Sequence, residues 1–312
     1  MTVRYYRWDD TSAPTLNNAA GSLVTLLDAV LVNGYGSKAA AGWAIAFTGT
    51  NKRVYRAASG VRPYIRFDDT LTTVCQGVRL AEAMTDVDTI TSNPCPTTTQ
   101  ISNGTSCIYK SANSTNRPWL VVSNETYFIL YIGHDNTTAE GLASTTAKNI
   151  YAFGDYFSYL PGDAFNSIFI SNISNTAVAS SMCDVSASAQ ALAGHYALRA
   201  ADQTTLSVQY SKACDARALN LSSFGGTGNF TYPDPITGGL LMSPLYLTQP
   251  TQTLVRGKLP GLWAVLHNLP GNPGDTFTGA GALSGKTFLL LDGANSSSAR
   301  RRIAVEISDT WS

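Results

Sequence analysis

At 312 residues the chain is long for one compact core, so one large or two medium domains are expected. Charged residues make up only 13% of it, against about 25% in an average protein, and 21 Lys and Arg balance 21 Asp and Glu. That balance argues against a nucleic-acid-binding chain, the lack of an apolar run of about 18 residues argues against a membrane-spanning helix, and so weakly charged a surface gives a solitary protein little protection against self-association.

The opening residues, Met1 to Trp8, lack the apolar stretch of a secretory signal, which predicts folding and assembly in a cytoplasm. The first element is a helix over residues 17–33. Asn17 or Asn18 is placed to cap it, and Leu23, Leu26, Leu27, Val30 and Leu31 recur at three- and four-residue spacing as one apolar stripe. Asn33-Gly34 supplies the left-handed stop. Short strands follow at 43–47, 53–56, 62–67 and 76–80, with Gly49-Thr50-Asn51 as a turn and Pro63 at a strand entrance. A helix followed by several strands suggests α+β rather than βαβ winding.

Residues 91–117 read as a long polar loop rich in Thr, Ser, Asn and Pro, of the kind that carries contacts. Strands resume at 119–122 and 127–132 around a hairpin tip at Asn124-Glu125, then at 150–153 and 167–170. A polar stretch near 171–190 is the candidate linker. Beyond it, runs at 207–210, 240–242, 245–247, 287–291 and 303–307 are divided by Gly and Pro, which favours a sandwich or barrel. The expected fold is mainly β (α+β), with antiparallel sheets. One N-terminal helix packs on a sheet in an α+β domain over 1–172, and a β-sandwich or barrel-like domain occupies 173–312.

Candidate chemistry is sparse. Cys75, Cys95, Cys107, Cys183 and Cys214 contain no CxxC pair, which argues against zinc and for free thiols. The exception is Cys95 with Cys107, which flank a Pro/Thr/Ser-rich loop and could close it. Asp9-Asp10, Asp68-Asp69 and Asp86-x-Asp88 read as turn residues accepting backbone N–H groups. A glycosidase needs two carboxylates facing each other across a cleft, and no pair is singled out. His134, His195 and His267 lie far apart, with no His-x-x-x-His or Gly-x-Ser-x-Gly motif, so no triad, metal site or cofactor is expected. Gly285-Lys286-Thr287 lacks the glycine spacing and helix of a phosphate loop. Two features point instead to another chain. Trp8 and Trp311 lie near the termini, where a monomer buries little and tryptophan serves as an anchor. Arg300-Arg301-Arg302 is the one basic cluster, able to meet an acidic neighbour or DNA.

Several phrases resemble a structural-protein family of tailed-bacteriophage virions. They include Tyr6-Arg7-Trp8-Asp9-Asp10, Asn33-Gly34-Tyr35-Gly36-Ser37-Lys38 and Phe47-Thr48-Gly49-Thr50-Asn51-Lys52. Asn116-Arg117-Pro118-Trp119, Phe153-Gly154-Asp155 and Pro161-Gly162-Asp163-Ala164 continue the series. Gly194-His195-Tyr196, Val255 to Trp263 and Gly274 to Gly279 complete it. The similarity is collinear over nearly the whole chain. It implies a non-enzymatic virion component, assembled in the host cytoplasm, whose partners are copies of itself and other virion proteins. The neck or collar and the tail are the leading positions, and capsid decoration is the alternative. A receptor- or glycan-binding module is a rival reading, with the loop 91–117 and the segment 222–239 as its sites. A particle-borne polysaccharide hydrolase is another, and it would need a carboxylate pair.

Overall fold

A computed structural model of the chain describes residues 1–133, 149–171, 194–209, 211–213, 231–249, 254–267, 274–296 and 299–311. The protein is mainly β, built of antiparallel sheets with one short helix near the N-terminus and no closed barrel. In chain order the elements are β1 (Arg4–Arg7), α1 (Ser22–Leu27) continued by a π-helical turn (Asp28–Asn33), β2 (Ala44–Gly49), β3 (Lys52–Arg56), β4 (Tyr64–Asp68), β5 (Val74–Ala81), β6 (Ala83–Met84) and β7 (Ile90–Ser92). Next come β8 (Ser106–Tyr109), β9 (Trp119–Ser123), β10 (Tyr127–Ile132), β11 (Asn149–Asp155), β12 (Phe157–Ser158), β13 (Ser167–Ser171), β14 (Gly194–Arg199) and β15 (Leu206–Gln209). The last are β16 (Ser211–Ala213), β17 (Met242–Gln249), β18 (Leu254–Val265), β19 (Thr276–Thr278), β20 (Thr287–Ser296) and β21 (Ala299–Glu306).

Three sheets form the body. The central one runs β1-β9-β10-β11-β13-β14-β15. A second runs β16-β17-β18-β21-β20-β19 with β12 beside β18, and a third runs β2-β3-β4-β5-β8. The central sheet is buried on both faces. Val121, Phe128, Leu130, Phe153 and Phe169 share a core with Leu23, Leu27 and Val30 of the helix and with Tyr55 and Ile65 of the third sheet. Their neighbours Val122, Ile129, Ala152 and Ile168 share another core with Leu247, Leu262, Leu289 and Val305 of the second sheet. This is why Tyr127–Ile132 is an unbroken apolar run, with all six residues buried, rather than an alternating one. Each large apolar side chain buried in these layers contributes roughly 1.5–3 kcal/mol.

An aromatic row crosses the central sheet. Phe128, Phe153, Phe169 and Tyr196 are register partners on β10, β11, β13 and β14. Their ring centroids are 5.0, 6.2 and 5.6 Å apart along the row. Trp43 meets Phe128 edge-on at 5.3 Å, and Phe67 meets Phe153 at the same distance. Such cross-strand pairs add stability beyond area burial and hold the register.

The structure moves the helix boundaries. The apolar stripe is buried as expected, but α1 begins at Ser22, and its N-cap residue, Gly21, makes no side-chain cap. Asn17 instead closes a local turn by accepting from Ala19 N–H at 2.9 Å. The free N–H groups of Leu23 and Val24 are taken by the Asp69 carboxylate, at 2.7 and 3.3 Å, from the far end of β4. The stop at Gly34 is where the sequence places it, with its N–H bonded to Ala29 O in π-helical spacing.

The stretch 91–117 is not an open polar loop. Within it β8 pairs with β5, and Cys95, Ile101, Cys107, Ile108, Lys110 and Arg117 are buried. Its polar residues find partners inside: Lys110 with Asp69, and Arg117 with the Ser111 hydroxyl. The expected linker falls almost wholly outside the described residues. The division at 172/173 lies between β13 and β14, which pair in the same sheet.

Candidate functional site

A half-open groove of about 520 Å³ opens where the three sheets meet. One wall is the β3–β4 turn, Ser59 to Val61, and the other is the chain from Asp155 at the end of β11 through Phe157 to Asn166. Asp155 ties the walls together, its Oδ2 accepting from Val61 N–H at 2.8 Å and its Oδ1 accepting from the Ser167 hydroxyl. The turn passes so close that a Cβ on Gly60, where φ is +76°, would collide with the carboxylate. Burial pushes the Asp155 carboxyl above its usual range, against the pull of those two bonds.

Asp163 lies beneath the same wall in a different state. Its side chain is 1% exposed, and Arg256 of β18 holds it in a two-pronged grip, Nε to Oδ2 at 2.8 Å and Nη2 to Oδ1 at 2.7 Å. The Ser158 hydroxyl donates at 2.7 Å and Phe165 N–H at 3.1 Å. Burial opposes ionisation here, but the Arg256 and Ser158 bonds outweigh it and hold the carboxyl below the usual aspartate range. Arg256 Nη1 also donates to Arg199 O, so one side chain of the second sheet holds the 158–166 segment and β14 of the central sheet together.

Two carboxyls pushed in opposite directions could suggest an acid–base pair. The bonding argues otherwise, because every oxygen of Asp163 is engaged within the chain and its cation is supplied by Arg256. Beside the groove, Phe157, Lys258 and Tyr246 are register neighbours on the outer face of the second sheet. Phe157, Tyr159 and Val255 are 36%, 52% and 48% exposed, so this face presents an apolar, aromatic surface. Lys258 Nζ lies 5.6 Å from the Phe157 ring centre, and Tyr159 lies 6.3 Å from Tyr246.

The residues singled out from sequence are scattered. Trp311 is half-buried, its Nε1 donates to Glu306 O at 2.9 Å, and its ring meets Tyr127 edge-on at 5.6 Å. It also lies against Gly261, where φ is +68° and any Cβ would strike the indole. Trp8 is half-buried between the two cores, with the Arg7 guanidinium 4.9 Å from its ring. Both tryptophans are therefore packed within the chain and retain only partial exposure. Arg300, Arg301 and Arg302 lie on β21, where Arg300 pairs with Asn295 and Arg302 with Asp292 in backbone register; their side chains are outside the described part.

Asp10, Asp68 and Asp86 take the turn roles expected of them, Asp68 accepting from Thr70 N–H at 3.3 Å, whereas Asp69 is buried against Lys110. Asp10 accepts from Arg7 N–H at 2.8 Å, and Asp86 accepts from Asp88 and Thr89 N–H at 2.8 and 2.9 Å. Lys286 is engaged by Thr310 O at 2.6 Å and Glu306 at 3.1 Å. His195 lies on β14 and His267 beyond β18, each buried, and His134 is outside the described residues. Cys75, Cys95 and Cys107 are buried thiols, and no disulfide joins Cys95 to Cys107; Cys183 and Cys214 fall outside the described residues. Among the described residues no group of three or more His, Cys, Asp or Glu is placed to hold a metal ion, and no helix is long and apolar enough to cross a membrane.

Sequence reasoning missed the groove because its polar residues come from three distant places, Ser59, Thr126 and the segment 155–166. The nearest signal was indirect, since Asp155, Asp163 and Arg256 all fall inside phrases that carry the virion-protein resemblance. Comparison with known proteins adds no identity: no protein-family model matches the chain, and no curated protein matches it.

Proposed function

We propose that the chain is a structural component of a tailed-bacteriophage virion, held in place through protein–protein interfaces at the neck or collar or at the tail. Capsid decoration is the alternative position. The observation that carries this reading is the use made of buried charge. Asp69–Lys110 and Asp163–Arg256, both buried, and the partly exposed Glu82–Arg199 join segments 41, 93 and 117 residues apart. Charge is spent on rigidity rather than on a reactive centre, as suits a part that bears load.

The surface supports the same reading. Exposed apolar side chains include Tyr159, Val255, Leu206 at 53% and Ile236 at 92%. The edge strand β2, Ala-Ile-Ala-Phe-Thr-Gly, carries none of the lysine or proline that blunts natural sheet edges, although a bulge between Ile45 and Phe47 interrupts it. A stable contact would cover on the order of 1,000 Å² or more. The test is peptide mass spectrometry of gradient-purified particles. The expected result is this chain at a fixed ratio to the major capsid protein. Its absence from particles, with a purified protein that stays monomeric, would end the proposal.

A further inference from the structure

The geometry points to the groove between the β3–β4 turn and residues 155–166 as a binding site for a neutral saccharide, one sugar ring lying against Phe157 with its hydroxyls on Asp155, Asn166 and Ser59. The site goes beyond the assembly role and does not depend on it.

The volume, about 520 Å³, is within the roughly 300–1,000 Å³ of small-molecule pockets. Its polar groups have capacity left. Each Asp155 oxygen accepts one bond from the chain, while a carboxylate offers about four lone-pair sites. Asn166 spends one amide hydrogen on Tyr156 O at 2.7 Å, which leaves its second N–H and its carbonyl. Ser59 is exposed at the rim.

Charge selects the ligand class. An anion would meet Asp155, with which no Lys or Arg forms an ion pair among the described residues. A cation seeking the Phe157 ring would meet Lys258, whose ammonium already lies 5.6 Å from the ring centre. What fits both walls is an uncharged molecule with an apolar C–H face and several hydroxyls. Tyr159 and Tyr246 continue the aromatic surface beyond Phe157, so an oligosaccharide would find a second platform.

The test is isothermal titration calorimetry and saturation-transfer NMR on the full chain. The probes are glucose, galactose, N-acetylglucosamine and maltohexaose, with oligolysine and inorganic phosphate as charged counterparts. A saccharide probe is expected to bind, with strongest transfer at its ring C–H protons. Phe157→Ala should weaken it about tenfold or more, with a cooperative melting transition showing that the variant is folded, and the exposed Ser59→Ala should weaken it by less without moving that transition. Binding of oligolysine or phosphate in place of every saccharide, no saccharide binding, or binding unchanged in both variants would overturn the assignment. Virion content is unaffected by any of these outcomes, so failure here is distinct from failure of the assembly reading.

Discussion

The Lys110 ammonium meets the Asp69 carboxylate at 2.5 Å, with neither side chain exposed to solvent. Lys110 also donates to Ala19 O at 2.8 Å and Leu71 O at 3.1 Å, while Asp69 receives the first N–H groups of α1. The pair therefore replaces a local helix cap and fastens three segments at once.

Breaking the pair from one side leaves a buried charge without its partner. Lys110→Met is expected to cost about 3–5 kcal/mol in urea unfolding, and Asp69→Asn a comparable amount. The double variant should cost clearly less than the sum of the two, because no orphan charge remains. Strict additivity would mean that the two groups do not act together.

The aromatic row makes a second prediction. Phe153 sits at its centre, touching Phe128, Phe169 and Phe67. Phe153→Ala should lower stability by about 3–5 kcal/mol and Phe153→Leu by less, with an unchanged dependence on denaturant. A loss below about 1 kcal/mol for the alanine variant would place the ring outside the packed core.

Acid sensitivity is assigned to a different pair. Glu82 accepts from Arg199 Nε at 2.5 Å and Nη2 at 2.8 Å, and the Arg199 bonds hold its carboxyl below the usual glutamate range against the effect of burial. A lowered folded pKa means that this stabilisation is complete above the ordinary glutamate value of about 4.3 and is lost as pH falls through the folded value. Wild type should melt above Glu82→Gln near neutrality, and the two curves should converge in acid. Melting temperatures that stay equally far apart at every pH would contradict the assignment.

Gly60 tests the junction of the sheets. Its positive φ and its contact with Asp155 leave no room for a methyl group. Gly60→Ala should cost about 1 kcal/mol or more in urea unfolding. A neutral result would show that the turn is not pinned by Asp155.

The parts legible in the sequence are those where burial acts locally. The stripe Leu23 to Leu31 and the run Tyr127–Ile132 announce their elements because each residue's environment repeats along the chain. Other parts were hidden by partners far away in sequence. Asp69 looks like a turn residue until α1, 46 residues earlier, is placed on it. The Thr, Ser, Asn and Pro of 91–117 made that stretch look solvated, although its Lys110 and Arg117 are buried in bonded positions. Strand β18 was missed because Gly257, Pro260 and Gly261 read as breakers. Both glycines admit close neighbours instead, Gly257 against Tyr156 and Phe157 and Gly261 against Trp311. The groove shares this obscurity, since only the fold brings Ser59 to Asn166.

The measurement that bears most directly on the assembly account is a cryo-electron-microscopy map of the purified particle at a resolution that permits tracing. The account predicts density for this chain in a symmetric ring or array, with its exposed apolar face or a sheet edge covered by a neighbour. A particle fully accounted for by other chains, with no density of this fold, would contradict it.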